Sequence, residues 1–127
     1  MAFTCAAVST AISAQTVFEE RHVQRLRYLS LIVTCNTKYP LYPERADQYT
    51  EYLAGEMDNF TRLYGITGTE AVKPSLDKYV NTILAGPLTP RGQNVREYCD
   101  EVENFGWMWL QSCKGKDREF CNSIWKK

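Results

Sequence analysis

The sequence predicts an all-α protein: an up-down four-helix bundle with a short C-terminal helical tail. Three observations lead there. Apolar residues recur at helical rather than alternating intervals in four successive segments. Proline, glycine and threonine stand where helices begin and end. Strand signals are missing, with no Asn-Gly hairpin turn and no alternating run of β-branched residues.

The first helix is expected over Phe18 to Cys35. Phe18, His22, Leu26, Leu29 and Val33 form one stripe at helical spacing, with Glu19, Arg21, Arg25 and Arg27 expected to face water. Asn36-Thr37-Lys38-Tyr39-Pro40 ends it. A second helix follows Tyr42-Pro43, with proline at a first helical position. Ala46, Tyr49, Leu53, Met57, Phe60 and Tyr64 share its apolar face, and Gly65 sits where a left-handed C-terminal cap belongs.

Thr67-Gly68-Thr69-Glu70 has the spacing of a capping box and starts a third helix. Pro74 is expected to divide it into a short lead-in and a main body. Leu76, Tyr79, Val80, Ile83 and Leu84 line that body, which Gly86-Pro87 terminates. Thr89-Pro90 repeats the start signal for a fourth helix running to Cys113. Its stripe is Val95, Cys99, Val102, Gly106, Trp109 and Cys113, widened by Tyr98 and Phe105. The charged turn Lys114 to Glu119 then leads to a helical tail, Phe120 to Trp125.

Cysteine positions fit this topology. With Cys5 set aside, Cys35, Cys99, Cys113 and Cys121 allow three pairings. Cys99 and Cys113 lie on one helix about 21 Å apart, far beyond the roughly 7 Å that a disulfide spans. The end of the first helix and the start of the fourth meet at one end of an up-down bundle, which pairs Cys35 with Cys99. The Lys114–Glu119 turn brings Cys121 back beside Cys113 at the other end. Both bridges imply an oxidising compartment.

At 127 residues, 44% of them hydrophobic, the chain makes one domain that buries roughly two-thirds of its unfolded surface. Residues 1–14 read as a signal-like or packed N-terminal arm, and 15–127 as a single helical domain. The first eighteen residues are uncharged, and Ile12-Ser13-Ala14 resembles the end of a secretory signal, although no basic region precedes it. Localisation is thus expected to be secreted or periplasmic. No apolar run is long enough for a transmembrane span. Fifteen basic residues balance fifteen acidic ones without segregation, which disfavours nucleic acid as a partner.

Chemistry is not advertised. Cys113 and Cys121 lack the C-x₂₋₄-C spacing and nearby histidines of a zinc site, and no C-x-x-C redox motif is present. Neither a metal nor a cofactor is expected. His22, the single histidine, lies on an apolar stripe and reads as a satisfied or half-buried side chain. Glu97, Asp100, Glu101 and Glu103 read as a solvated face. Asn59-Phe60-Thr61 matches a glycosylation sequon but places Phe60 in a core stripe, and is discounted.

The aromatics are more suggestive. Phe105, Trp107, Met108, Trp109 and Leu110 point all round the fourth helix, so either the N-terminal arm and tail wrap it or Trp107 and Met108 project outward. Tyr39 and Tyr42, in the segment KYPLYP, form either a second contact site or a packed connector. Trp107, Met108, Tyr39 and Tyr42 are therefore the candidate partner-binding residues. The expected function is a non-catalytic exported module that binds another protein: an inhibitor, an immunity-type protein or an accessory subunit of an envelope assembly. The alternative is a carrier holding an apolar ligand in the bundle interior, among Met57, Tyr49, Tyr79 and Trp109.

Overall fold

The computed structural model of the protein describes residues 18–85 and 94–114. These are helical throughout apart from short connections, with no strand among the described residues. Three helices appear: α1 (Glu20–Lys38), α2 (Ala46–Ala85) and α3 (Val95–Lys114), with a 3-10 turn at Pro43–Arg45 leading into α2. None of them is long and apolar enough to cross a membrane.

The middle helix is not straight. Gly65 adopts φ 77° and ψ 173°, a left-handed backbone conformation that glycine reaches without a Cβ penalty. The hydroxyls of Thr61 and Thr69 lie 2.7 Å apart across this break. Eight residues of straight helix would separate them by about 12 Å, so the chain folds back on itself at Gly65. Thr69 also donates to the Gly65 carbonyl at 3.2 Å, one turn back in the resumed helix. The helix therefore breaks at the expected glycine, with ψ extended beyond the value of a left-handed cap, and two other expectations need correction. Helical structure resumes at Ile66, ahead of the Thr67 start. Pro74 does not divide the segment, because Gly65 is the one non-helical position inside α2 and Pro74 sits exposed on its outer side.

Helix α1 lies between the other two. Val23, Leu26, Leu29, Leu31, Ile32, Cys35 and Asn36 are all buried, a wider arc than the predicted stripe. It also runs to Lys38, three residues beyond the expected end. Arg25 and Arg27, expected in water, are half-buried and lie over aromatic rings, Arg25 at 5.7 Å from Trp109 and Arg27 at 5.7 Å from Tyr79. A helix covered on two sides has little free surface, so its long basic side chains lay their stems on apolar neighbours. Arg25 also pairs with Glu56 of α2 at 3.5 Å.

Two apolar clusters follow the length of α1. At one end Val23, Leu26, Phe60, Val72 and Leu76 pack together, with Phe18 making edge contacts to Phe60 and Tyr64. At the other, Leu29, Leu31, Ile32, Tyr49, Val80, Val102, Trp109 and Leu110 surround Cys35 and Cys99. Cys35 and Cys99 form the predicted disulfide, with Cα atoms 5.1 Å apart. Cys113 is also disulfide-bonded. Cys121, its predicted partner, lies outside the described residues, as do residues 1–14, the Thr89-Pro90 start signal and the C-terminal tail.

Helix α3 is described from Val95, and Asn94 caps it there. The Asn94 side-chain oxygen accepts from the Glu97 N–H at 2.9 Å, and the Glu97 carboxylate accepts from the Asn94 N–H at 3.4 Å. That reciprocal pair is a capping box. Further along, Gly106 permits the close approach of α3 to α1: a Cβ there would sit 2.6 Å from Cδ1 and 2.9 Å from Cγ1 of Ile32.

Ile32 is fully buried, so any shift of its side chain is made against the core. Gly106→Ala should therefore lower stability by about 1–3 kcal/mol despite alanine's better helix propensity. Adding Ile32→Val, which removes the clashing methyl, should recover part of the loss. Denaturant melts of the two single variants and the double variant measure this coupling.

Candidate partner-binding site

The segment joining α1 to α2 is pinned to α3 by a buried carboxylate. Glu103 is 0% exposed. Its Oε1 accepts from the Asn36 side-chain amide at 2.7 Å, and its Oε2 from the Leu41 backbone N–H at 2.9 Å. The second proton of the same Asn36 amide goes to the Tyr42 carbonyl at 3.0 Å. Glu103 was expected on a solvated face with Glu97, Asp100 and Glu101. Glu97 and Glu101 are indeed exposed and Asp100 is half-buried, but Glu103 is turned inward. It is the connector, far away in sequence, that buries it.

Around this anchor the candidate residues fall into place. Tyr42 is half-buried, and its hydroxyl donates to the Asn104 side-chain oxygen at 3.0 Å. The Arg45 guanidinium stacks between two rings, 3.8 Å from Tyr42 and 4.1 Å from Trp107. Trp107 is half-buried and meets Tyr49 edge-on, while Tyr49 donates to the Glu103 carbonyl at 3.4 Å. Tyr39 is half-buried against the core cluster. The connector is thus a packed element joined to α3 through Asn36, Leu41, Tyr42 and Arg45.

Met108 differs from these. It is 61% exposed, with Phe105, one turn earlier, 40% exposed and its ring tilted against Tyr28. Of the four candidates the structure brings Tyr42 and Trp107 together through Arg45, packs Tyr39 inward and leaves Met108 outward. Phe105 joins Met108 on the surface; its spacing of three residues from Met108 was the signal available in the sequence. A second exposed apolar pair, Leu63 and Ile66, flanks the Gly65 corner.

The remaining polar features are structural in character. Tyr64 ties down the start of α1: its hydroxyl accepts from the Glu19 N–H at 3.0 Å and lies 2.8 Å from His22 Nδ1. His22 is half-buried, as expected. An open groove of about 400 Å³ runs past Gln48, Glu51, Glu56, Arg62 and Lys114, and carries charges of both signs. Among the described residues no group of three or more histidines, cysteines or carboxylates is placed to hold a metal ion. The positions named for an interior ligand are occupied by packing: Tyr49 and Trp109 are fully buried, and Trp109 contacts the rings of Tyr28 and Tyr52.

Three phenols are held above their ordinary range. Burial raises Tyr28, reinforced by Tyr98, Tyr79 and Tyr49 nearby. Burial likewise raises Tyr49 and Tyr79, opposed by Arg45 and Arg27 respectively.

Two outcomes follow from this arrangement. Arg45→Ala should cost about 1 kcal/mol and shift the Trp107 indole N–H resonance, while leaving that of Trp109 in place; assigned NMR spectra distinguish them. The raised tyrosines give a pH dependence of known sign. Their folded forms keep the proton after the unfolded chain has begun to lose it, so the stability they provide is complete below about pH 10 and is lost as pH rises further. Ultraviolet tyrosinate absorbance, followed alongside circular dichroism, should show part of the tyrosine signal, Tyr28 foremost, ionising later in the folded protein than in the unfolded chain. No family model matches this sequence, and comparison with curated proteins and with solved structures finds no similar chain.

Proposed function

We propose that this chain is a non-catalytic protein-binding module working outside the cytoplasm, as an inhibitor, an immunity-type protein or an accessory subunit of an envelope assembly. The observation that carries this reading is the exposed Phe105–Met108 pair, mounted on a helix that is fixed from beneath. Methionine and aromatic side chains are favoured at protein interfaces. They bind best when presented without ordering cost, and α3 is tied to α1 by the Cys35–Cys99 bridge. The same bridge supports export, since structural disulfides persist in oxidising compartments. The fold-back at Gly65 supports the finer architecture, four rods in an up-down bundle with a C-terminal tail.

Met108→Glu is the substitution that tests the face. Trp107 serves less well, because it supports Arg45 and Tyr49 and its loss would loosen the connector. Exposed Met108 should tolerate glutamate within about 0.5 kcal/mol. The variant should lose a partner that the wild-type protein captures from the envelope fraction of its native host. Retained capture would move the interface elsewhere. A lipid or small molecule co-purifying in solvent extracts would favour the carrier instead.

A further inference from the structure

The most unusual group in the described residues is Glu103. A carboxylate with no exposed surface is ordinarily matched by a cation. Among the described residues no basic side chain is in ion-pair contact with it. Its two oxygens instead receive two neutral donors, the Asn36 amide and the Leu41 N–H. Both donors belong to the end of α1 and the connector that follows it. One ionisable group on α3 therefore holds the connector down.

We propose that Glu103 is a pH-sensitive latch for the connector, holding Leu41 to Arg45 against α3 when ionised and releasing them when protonated. The geometry fixes the sign. An ionised carboxylate accepts at both oxygens and satisfies both donors. Protonation removes the charge that strengthens both bonds and turns one oxygen into a hydroxyl with a proton of its own to place, so the connector is held more weakly.

The groups facing the latch do not offset this change. From α1 it meets Asn36, which is neutral, and from the connector the Leu41 N–H and Tyr42. From the start of α2 come Arg45, stacked between Tyr42 and Trp107, and Tyr49, whose hydroxyl bonds the Glu103 carbonyl. The nearby carboxylates of its own helix, Asp100 and Glu101, stand on the partly or fully exposed side. Arg45 stacks between Tyr42 and Trp107 at the connector's far end, so the Trp107 indole reports release there.

The latch goes beyond the binding function proposed above and is tested without a partner. NMR of the full chain, acidified stepwise from neutral pH while circular dichroism shows the helices intact, reads the Leu41 amide and the Trp107 indole. Both should follow one single-proton curve, and Leu41 should lose roughly tenfold of its protection from amide exchange, the ratio expected for one lost hydrogen bond. Glu103→Gln, which keeps the shape but places a donor where the carboxylate accepts, should give the acid-state positions already at neutral pH and abolish the step. A Leu41 amide that does not move with pH in the wild-type protein overturns the proposal. So does a step that survives in Glu103→Gln. Should that variant fail to fold, Asn36→Ala provides the second check: with one donor gone, its Leu41 step must persist at a changed midpoint, and an unchanged midpoint counts against the latch.

Discussion

The Cys35–Cys99 bridge and the Gly106–Ile32 contact together fix α3 against α1, and the rest of the domain depends on that register. The bridge joins positions 64 residues apart, a closure that contributes about 4 kcal/mol in the chain-entropy picture. Its second effect is geometric. Seven residues, about two turns, separate Cys99 from Gly106 on α3. The covalent tie and the glycine contact therefore act at two levels of the same interface, and α3 can neither slide nor rotate. With Ile32 seated over Gly106, Trp109 reaches inward to meet Tyr28 and Tyr52. The large aromatic rings then fill the gap that separates α3 from the first half of α2.

From this register follows the burial of Glu103. It stands four residues after Cys99, one turn along the helix, so the turn that carries the bridge also carries the carboxylate. The end of α1 must pass close to it, because Cys35 is covalently attached there and Asn36 comes next. The disulfide brings the donor and the acceptor together, and the hydrogen bonds then organise the connector. A buried carboxylate is an expensive choice for holding a loop. It is a selective one, since only a connector of the right length delivers the Leu41 N–H to the second oxygen.

Several features were legible in the sequence because they are local or topological. Gly65 needed only the recognition that a helix stripe ends at a glycine. The pairing of Cys35 with Cys99 needed only helix rise and the order of the rods. His22 on an apolar stripe did prove to be a half-buried, hydrogen-bonded side chain. What was missed depends on distant partners. The one exception is local: the capping box at Asn94 and Glu97 was visible in the spacing once asparagine is admitted as a cap. Arg25 and Arg27 were assigned to water because a single stripe was assumed, whereas α1 is enclosed on two sides. Glu103 stands one turn from both Cys99 and Gly106, beside the stripe that periodicity draws, and it was assigned to water because it is a carboxylate and not because of its place on the helix. Nothing local reveals that a connector over 60 residues earlier in the chain will close over it.

The aromatic run in α3 shows what remains for a partner. A helix apolar on every side must be covered on every side, and Phe105 to Leu110 present such a surface. Gly106 receives Ile32, Trp109 and Leu110 are buried in the core, and Trp107 lies between Arg45 and Tyr49. Phe105 leans on Tyr28 and is 40% exposed. Within the described residues, Met108 alone in this run is mostly exposed. The connector that buries Glu103 also covers part of Trp107, since Arg45 at its end lies over the indole while Tyr49 of α2 meets it edge-on. The amount of aromatic surface offered beside Met108 is therefore set by the same contacts that order residues 39–45.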